Sequence, residues 1–476
     1  MTVRPGTRTS PVEATTASIG RNGAGGQDLT TAEVVQRYAA PVPRYTSYPT
    51  APYFTPAVDA DVYRRWLAAL PEGARLSLYC HVPFCSVLCW YCGCNTKETR
   101  SYEPIAAYLE ALLSEIAHVG PLMPKRHGIA HLHWGGGSPN VLTAPDIRRL
   151  AGALKDAFRF EPDAEFAVEV DPRGMAEDQA RVTAFAESGV NRVSLGVQDF
   201  AEDVQKAINR IQSFQMTKDV LTRFREAGVK GVNIDLVYGL PHQTPDSVER
   251  TIRQVIELAP DRLAVFGYAH IPSRLKHQRL IADADLPGIM SRYEQAGRIS
   301  RTLQDAGYVR VGLDHFAKPT DPLAAGTVNR NFQGYTTDEA EILIGLGASS
   351  IGKLPQGYVQ NQVAAGDYAR RVAEKGIAVV RGVELSEEDR LRAHVIERLM
   401  CDLTFERADV TRRFGVLAAP VIAEADALLA ADQDDLVERT ADGFRVTERG
   451  RPFVRSLASR FDAYLGKSAA KHSSGV

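Results

Sequence analysis

Residues 76–96 read LSLYCHVPFCSVLCWYCGCNT and hold five of the six cysteines of the chain. The stretch opens with a run of β-forming residues at 76–82, and Cys85, Cys89 and Cys92 follow that run in the spacing C-x3-C-x2-C. A short apolar run that ends in turn-forming residues is typical of a buried strand. The stretch therefore predicts a strand whose carboxyl end presents a group of thiols.

Six β-rich runs of this kind are separated by segments with helical periodicity. The runs are residues 76–82, 129–134, 165–170, 191–197, 231–237 and 262–268. Between them, segments such as 105–118 and 247–258 repeat apolar residues every three or four positions, as an amphipathic helix does. Alternating strands and helices build βα units around a parallel sheet. We therefore predict an α/β fold, a partial (β/α)6 TIM-like barrel with an N-terminal arm and an α-rich C-terminal domain.

The unusual residues of the chain follow the ends of these runs. After the cysteines come GGGSP at 135–139, Glu169 and Asp171, Gln198 and Asp199, YGLP at 238–241 and AHIP at 269–272. In a parallel barrel the carboxyl ends of the strands form the rim of the active site. The sequence therefore predicts one site, built at one rim from all six strands.

Composition limits the class of protein. The 476 residues are 44% hydrophobic and 24% charged, which is typical of a globular protein. The net charge of -2 does not indicate nucleic acid or an anionic membrane as a main partner, and the longest apolar runs have strand length. No apolar segment of a secretory signal is present, so we expect the chain in the cytoplasm, where clustered cysteines bind metals more often than they form disulfides.

The chain divides into three predicted parts. Residues 1–28, rich in Thr, Gly, Ala and Ser, are predicted to be a disordered tail; a transit peptide is the alternative, which Glu13 and Asp28 weaken. Residues 29–375 would form the catalytic domain with its arm. Residues 376–476 would form the α-rich domain, with helices at 385–403, 418–431 and 451–465 and a hairpin at 436–447. Ser386 is the expected N-cap of the first of these helices.

The cysteine spacing favours an iron–sulfur site. Three thiolates on a short loop can hold three corners of a four-iron cube and leave one iron open. A structural zinc site would normally use four ligands, and a redox pair of Cys89 and Cys92 would leave Cys85 and Cys94 unexplained. Both alternatives stay open on spacing alone. Residues 135–137, all glycine, either let a ligand approach the backbone or form a tight turn.

C-x3-C-x2-C with Tyr91 before the last cysteine resembles the signature of the radical S-adenosylmethionine (SAM) enzymes, and GGGSP resembles their glycine motif. More narrowly, the chain resembles the family of oxygen-independent coproporphyrinogen III oxidases. The resemblance runs in order from residue 44 to residue 337. Its motifs are RYTSYPTA at 44–51, EVDPR at 169–173, GVQDF at 196–200, NIDLVYGLP at 233–241, YAHIP at 268–272, DHFA at 314–317 and RNFQGYTT at 330–337.

The resemblance implies a set of cofactors and contacts. Cys85, Cys89 and Cys92 would ligate a [4Fe–4S] cluster, whereas Cys94 would mark the family without binding iron. Two SAM molecules would lie side by side. The first would contact Tyr79, Gly136, Glu169 and Ile351, and the second would contact Tyr91, Gly137, Ser138, Gln198, Arg210, Asp235 and Ala269. Carboxylates suit ribose hydroxyls or an ammonium group, and an arginine suits a carboxylate.

The resemblance also implies the reaction. A 5′-deoxyadenosyl radical from SAM would take a hydrogen atom from the β-carbon of a substrate propionate, and loss of CO2 and one electron would leave a vinyl group. Two propionates of coproporphyrinogen III, on rings A and B, would react to give protoporphyrinogen IX. We expect a reduced donor such as flavodoxin or ferredoxin, and a monomer.

Further residues are assigned by chemistry and by strand periodicity. Tyr79 and His81 share a strand face and are the expected catalytic residues, while Cys80 points to the other face as a small buried hydrophobe. The substrate carboxylates need donors, for which the candidates are Arg44, Arg330, Gln333 and Tyr335. Residues 273–278 (SRLKHQ) match the family poorly, so no role follows for them.

Two alternative functions belong to relatives of the family. One is a haem-binding chaperone that keeps the cluster without catalysis, and the other is a radical SAM enzyme that modifies haem. Both typically lack the cysteine that matches Cys94 and the segment NFQGYTT, which stands at 331–337 in this chain. These two features favour the oxidase.

Overall fold

The computed structural model describes residues 30–467. The predicted disordered tail, residues 1–28, lies outside the described residues. The first described helix is capped by Thr30 and Glu33, which bond each other's backbone N–H groups. The last described residues follow a group of short turns in the C-terminal region.

Seven parallel strands, which we number β1 to β7 in chain order, form the centre of the molecule. They are Ala74–Val82, His127–Gly136, Phe160–Val170, Arg192–Gln198, Gly231–Tyr238, Arg262–Gly267 and Ile342–Leu346. Their order in the sheet is β7, β1, β2, β3, β4, β5, β6. All six predicted strands are present. The seventh was not predicted, because its five residues ILIGL follow irregular chain rather than a helix of a βα unit.

Antiparallel strands extend both edges of this sheet to a total of 12 strands. Beyond β7 lie Ile351–Leu354, Gly357–Asn361 and Val379–Glu384, and beyond β6 lie His315–Ala317 and Val309–Val311. The parallel sheet therefore stays open at its edges. This arrangement confirms the predicted α/β fold with a partial barrel.

Helices cover the outer face of the parallel strands. They are Glu103–Val119, Ala144–Ala157, Gln179–Glu187, Glu202–Ala207, Phe214–Glu226, Pro245–Glu257, Ile289–Asp305 and Ala365–Lys375. Short polar side chains start several of them: Thr143 accepts from the N–H of Asp146, and Ser213 accepts from that of Met216. Large side chains such as Trp134 and Phe185 are fully buried between helices and sheet. The carboxyl ends of the strands remain uncovered.

The C-terminal region is mostly helical. Its helices are Glu387–Asp402, Arg407–Phe414, Ala419–Ala431 and Val454–Ala458, beside three short strands, Thr404–Glu406, Val437–Arg439 and Gly443–Val446. Ser386 caps the first helix together with Asp389, as predicted. The predicted helix at 451–465 is instead one short helix between two 3-10 turns. Asp462 accepts from the N–H of Tyr464, which turns the chain out of a helical path.

The N-terminal arm joins the two parts of the chain. Its helix Thr31–Tyr38 buries Val34 and Val35 in the C-terminal core. The side chain of Arg455 donates to the carbonyl oxygens of Val42 and Pro43, at 3.1 Å in the second case. These contacts place the following residue, Arg44, at the open side of the sheet. The predicted domain boundary near residue 375 stays a prediction.

One stretch, Arg407–Ala431, is long and apolar enough to cross a membrane by length and composition alone, and 17% of its most apolar part is buried in the protein. The stretch consists of two helices joined by the turn Gly415–Ala418. Val421 and Ala425 pack into the C-terminal core. The expectation that no membrane takes part stays a prediction.

Candidate active site

A cavity of about 1560 Å³ opens at the carboxyl ends of the parallel strands. The residues assigned to metal, cofactor, catalytic and substrate roles line it, whereas Asp199, predicted at the same rim, is buried and bonds Gln243 and Thr251 instead. The assigned residues that line it are Arg44, Tyr79, His81, Cys85, Cys89, Tyr91, Cys92, Cys94, Gly136, Gly137, Ser138, Glu169, Gln198, Arg210, Asp235, Ala269, Arg330, Gln333, Tyr335 and Ile351. The structure thus brings together residues that lie up to some 300 positions apart, and their roles in binding and catalysis are taken up as proposals below.

The cysteine loop is held from both sides. Cys85 ends the two-residue strand Phe84–Cys85, which pairs with Lys97–Glu98. Farther along, the N–H of Trp90 donates to the carbonyl oxygen of Ile208 at 2.9 Å, and Nδ2 of Asn209 donates to that of Leu88 at 3.0 Å. The loop therefore leaves β1 and is fastened to the chain that follows β4.

Each candidate ligand has a polar neighbour. The Sγ of Cys85 lies 3.1 Å from Oγ1 of Thr96, and the Sγ of Cys92 accepts from the N–H of Cys94 at 3.4 Å. Two guanidinium groups donate to the Sγ of Cys89. A hydrogen bond with the Cys94 side chain lowers the pKa of Cys92 to about 7, whereas burial raises the pKa of Cys85. Positive charge and N–H donors near thiolates are typical of ligand cysteines.

This set of thiols fits an iron–sulfur cluster. All six cysteines are free of disulfides, and four of the five clustered ones, Cys85, Cys89, Cys92 and Cys94, line the cavity. Within residues 30–467 no three His, Cys, Asp or Glu side chains are grouped as they would be around a single ion. In a four-iron cube each thiolate binds a different iron, so its ligands are set apart.

Asp171 organises the arginines beside Cys89. Its Oδ2 accepts from Nη2 of Arg173 at 2.7 Å and from Nη1 of Arg210 at 3.2 Å. Arg210 also donates to the carbonyl oxygen of Gly196 at 2.6 Å, while its Nε is buried without a partner among the described residues. Arg210 was predicted from the sequence and Arg173 was not, although the motif EVDPR contains it.

The glycine turn packs against the start of the cysteine loop. Gly136 has a φ of 110°, and a Cβ there would collide with the imidazole of His81. A Cβ on Gly137 would collide with the carbonyl oxygen of Phe84. The N–H groups of Gly137 and Ser138 donate to the carbonyl oxygens of Val82 and Phe84 at 2.9 and 2.8 Å. Close packing of two backbones therefore requires glycine here.

Tyr79 and His81 lie on one face of β1 and are bonded to each other. The Nε2 of His81 lies 2.9 Å from the carbonyl oxygen of Asn95, so this nitrogen carries the proton. The hydroxyl of Tyr79 then donates to Nδ1 of His81, at 2.9 Å. Burial lowers the pKa of His81, which favours this neutral ring. Cys80 lies on the other face and is fully buried in the core, where it was expected.

Glu169 faces His133 across the carboxyl ends of β2 and β3. Burial opposes ionisation of Glu169, but its hydrogen bonds with His133 and with the N–H of Gly136 outweigh burial and lower its pKa. The ring of His133 also stacks on Tyr79, with centroids 5.9 Å apart. His133 was not predicted from the sequence, although the period of two in HLHW places it on the face that ends at Gly135.

Asp235 lies inside the barrel in a small polar group. Ser194 donates to its Oδ2 and Asn233 donates to its Oδ1, both at 2.8 Å. Burial raises the pKa of Asp235 to about 6. A nearby Gln198 adopts a positive φ of 68° at a bulge in β4, which turns its backbone toward the cavity.

The poorly matched segment 273–278 supports the cysteine loop. The Nε2 of His277 lies 2.7 Å from the carbonyl oxygen of Cys92. Gln278 is fully buried and donates to the carbonyl oxygens of Tyr91 and Ala269 at 3.0 and 3.1 Å. No sequence signal pointed to the two contacts with the cysteine loop, because they join positions 185 and 187 residues apart.

Arginine side chains form a further part of the cavity wall. The guanidinium of Arg330 lies 4.5 Å from the ring centroid of Tyr335, whose hydroxyl donates to the carbonyl oxygen of Met400 at 2.7 Å. Arg44 donates to the carbonyl oxygen of Gly267 at 2.8 Å. Gln333 begins a turn in which its own N–H donates to Oδ1 of Asn331. The cavity thus has guanidinium groups beside the thiols, from Arg173 and Arg210, and a further set that includes Arg44 and Arg330.

Comparisons with known proteins agree with this geometry. Residues 79–255 match the Radical SAM superfamily, and residues 385–453 match the HemN C-terminal domain. The chain is 48% identical, over 439 residues, to a protein of Bradyrhizobium diazoefficiens named oxygen-independent coproporphyrinogen III oxidase; the match covers 91% of this chain and 97% of that protein. A protein of the same name from Escherichia coli is 41% identical over 441 residues, which cover 92% of this chain and 96% of that protein.

A solved structure is similar along most of its length. The structure of coproporphyrinogen III oxidase (HemN) from Escherichia coli, described as a radical SAM enzyme, superposes with a TM-score of 0.84 at 41% identity. The superposition covers 89% of this chain and 98% of that chain. The likeness therefore includes the sheet, the N-terminal arm and the helical C-terminal region together.

Proposed function

The chain belongs to the family of oxygen-independent coproporphyrinogen III oxidases, which are radical SAM oxidoreductases, and we propose that it converts the ring A and ring B propionates of coproporphyrinogen III to vinyl groups, giving protoporphyrinogen IX. The resemblance that the motifs indicated is thereby confirmed at the level of the family. One observation carries the finer proposal: a single cavity joins a loop of three open thiols to a wall of arginines. That combination suits an iron–sulfur cofactor and a substrate with several carboxylates.

Cys85, Cys89 and Cys92 are the proposed ligands of a [4Fe–4S] cluster. When bound, this cluster and SAM supply a one-electron oxidant that removes a hydrogen atom from the β-carbon of a propionate. The substrate then releases CO2 and passes one electron to an external acceptor, so that two carbons of the propionate remain as a vinyl group. The guanidinium groups of Arg173 and Arg210 offset negative charge on the sulfur side of the cavity.

Two SAM molecules are part of the proposal. Tyr79, Gly136, Glu169 and Ile351 would contact the first, and Tyr91, Gly137, Ser138, Gln198, Arg210, Asp235 and Ala269 would contact the second. The support is that all of these residues line the same cavity. Glu169 holds a negative charge at the glycine turn, where it suits an ammonium group.

The proposed role of Tyr79 and His81 is to fix the shape of the cavity and to keep water out of it. Neither side chain needs to carry a charge. The neutral His81 keeps its proton on Nε2, against the carbonyl oxygen of Asn95, and fixes the Tyr79 hydroxyl through Nδ1. A fixed, largely buried pair excludes water from the side of the cavity next to the glycine turn. Removal of water protects a radical reaction from side reactions.

The proposal extends to partners and place. A reduced protein such as flavodoxin or ferredoxin would supply the electron, the chain would act as a monomer, and the cytoplasm would provide the reducing surroundings that free thiols need. Neither nucleic acid nor membrane is required by the chemistry.

An anaerobic assay tests the function. The protein with a reconstituted cluster is mixed with dithionite or reduced flavodoxin, SAM and coproporphyrinogen III. We expect protoporphyrinogen IX and two 5′-deoxyadenosine molecules for each product formed, because two propionates react. The variant Cys89→Ser should lose iron and activity, whereas the matched control Cys401→Ser, which lies outside the cavity, should keep both.

A different outcome of this assay would contradict the proposal. A protein that binds its cluster and cleaves SAM, but leaves coproporphyrinogen III unchanged, contradicts the proposed reaction. Tight binding of haem by such a protein would favour the chaperone instead.

A further inference from the structure

Three arginines from separate parts of the chain meet at the carboxyl ends of β5 and β6. Arg44 comes from the N-terminal arm, Arg292 from the helix Ile289–Asp305, and Arg330 from the hairpin of Asn329–Asn331 and Gly334–Thr336. Arg330 donates to the carbonyl oxygen of Arg44 at 3.3 Å. All three line the cavity.

Contacts with the strand ends place Arg292 in this group. Its guanidinium lies 5.9 Å from the ring centroid of Tyr238, the last residue of β5. A Cβ built on Gly267, the last residue of β6, would come within 3.3 Å of Nη2 of Arg292. The carbonyl oxygen of that same Gly267 accepts from Arg44. Arg44 and Arg292 therefore approach the same strand end.

These positive charges have no carboxylate partner among the described residues. Within residues 30–467, none of the three guanidinium groups lies at ion-pair distance from a carboxylate. The Nε of Arg292 and both Nε and Nη1 of Arg330 are buried with no hydrogen-bond partner in the described chain. Buried cations without a counter-charge are costly, and native proteins keep them mainly where a ligand supplies the missing charge.

Asp314 is the carboxylate that acts on the group. It accepts a hydrogen bond from His315 at 2.8 Å, and the positive charges of Arg330 and Arg44 help to lower its pKa. Burial lowers the pKa of Arg44, and the nearby Arg330 and Arg292 add to that effect. Arg44 is exposed to the cavity rather than enclosed, so its free face is open to a ligand. One aspartate does not balance three arginines.

We propose that Arg44, Arg292 and Arg330 form the subsite for the two substrate carboxylates that do not react, the propionates of rings C and D; this inference rests on the proposed function. Two substrate carboxylates would supply negative charge that Asp314 alone does not provide to the three guanidinium groups. A guanidinium presents parallel N–H donors to a carboxylate, which fixes orientation as well as position. Such a pair stabilises the anion, and a carboxylate that must give up an electron and leave as CO2 is better left unpaired.

Comparison of two ligands tests this subsite, because the reacting carboxylates are absent from the product. Equilibrium dialysis under anaerobic conditions, without SAM or reductant, measures binding of coproporphyrinogen III and of protoporphyrinogen IX to the cluster-loaded protein. Each ligand is quantified by fluorescence after oxidation to the porphyrin. The variant Arg292→Gln should weaken the binding of both ligands by a similar factor, about tenfold or more.

Two further variants complete the design. Arg44→Gln removes a guanidinium that is exposed to the cavity, so the substitution should leave the fold intact. It should also weaken the binding of both ligands. The control Arg253→Gln changes an exposed arginine that pairs with Glu249 outside the cavity, and it should bind both ligands as the parent protein does. In turnover, the two cavity variants should raise KM more than they lower kcat.

Three results separate the possibilities. Weaker binding of coproporphyrinogen III with unchanged binding of protoporphyrinogen IX would overturn the inference, because the arginines would then hold the reacting carboxylates. Unchanged binding of both ligands to Arg44→Gln and Arg292→Gln would also overturn it. Failure of the parent protein to bind or convert coproporphyrinogen III would instead contradict the proposed function itself.

Discussion

Nε2 of His133 lies 3.0 Å from Oε1 of Glu169, while the backbone N–H of Gly136 lies 3.1 Å from the other oxygen of the same carboxylate. Both contacts come from β2, and the carboxylate comes from β3. The hydrogen bonds hold a negative charge at the glycine turn in spite of burial. The turn and the acid therefore act as one unit of the site.

Glu169→Gln removes the charge and keeps the shape of the side chain. We expect the affinity for SAM to fall about tenfold or more, because a charge-assisted bond to an ammonium group is lost. Iron content should not change, since Glu169 does not contact the thiols. Equilibrium dialysis with labelled SAM on the cluster-loaded protein measures the effect.

The control Glu161→Gln lies at the other end of the same strand, where Glu161 pairs with Arg75. Unchanged SAM affinity in Glu169→Gln would contradict the assignment.

The pKa of Asp235 predicts a pH-dependent stability. Burial raises this pKa to about 6 from the ordinary value of 3.8 for an aspartate. The folded protein therefore binds more protons than the unfolded chain between these values, and the free energy of unfolding falls as pH rises from about 4 to about 6. Asp235→Asn should be more stable than the parent at pH 8 by about 1 to 3 kcal/mol, and the difference should vanish near pH 4.

Thermal or urea unfolding of the two proteins at both pH values measures this difference. Asp156→Asn is the control, because Asp156 is exposed on the helix Ala144–Ala157. An equal gain in stability at pH 4 and pH 8 for Asp235→Asn would show that the gain does not come from ionisation.

The order of strands and the rim of the site follow from local patterns. A strand such as Arg262–Gly267 can be predicted from its own apolar residues. The cysteine motif can likewise be recognised from the spacing of its cysteines alone. Because all parallel strands end at one edge, the ends of the predicted strands were enough to group the cysteines, the glycine turn and Glu169, whereas Tyr79 and Asp235 were assigned from the family resemblance. Nothing beyond the alternation of strands and helices was needed for the grouping by strand ends.

Contacts between distant loops did not follow from local patterns. Arg292 lies in the first turn of its helix and has no motif, and only the packing of that helix on the ends of β5 and β6 brings it into the cavity. Arg173 was in view within EVDPR, but its contact with Cys89 depends on the path of the cysteine loop. A side chain that acts through tertiary contacts gives no periodic signal of its own.

Cys94→Ser tests which thiols bind iron. The Sγ of Cys92 accepts from the backbone N–H of Cys94, and serine keeps that N–H. We therefore expect iron content and the visible spectrum of the reconstituted protein to stay as in the parent. Cys92→Ser is the matched variant and should lose most of the iron. A loss of iron in Cys94→Ser would show that Cys94 is a ligand and that the assignment of the other three is wrong.

Gln278→Leu tests the support of the cysteine loop by the segment after β6. The side chain is fully buried and bonds three backbone groups: the carbonyl oxygens of Tyr91 and Ala269, and the N–H of Ile271 at 2.6 Å. Leucine fills similar volume but leaves these groups unpaired, at a cost of about 2 to 4 kcal/mol in the free energy of unfolding.

Because one of the lost bonds holds the loop between Cys89 and Cys92, the cluster should also be lost faster in air than in the parent protein. Iron release followed by absorbance measures this rate. The neighbouring variant Arg279→Leu, at an exposed position, should release iron as the parent does. Equal iron release in Gln278→Leu and Arg279→Leu, with a lowered stability in the former, would restrict the role of Gln278 to folding.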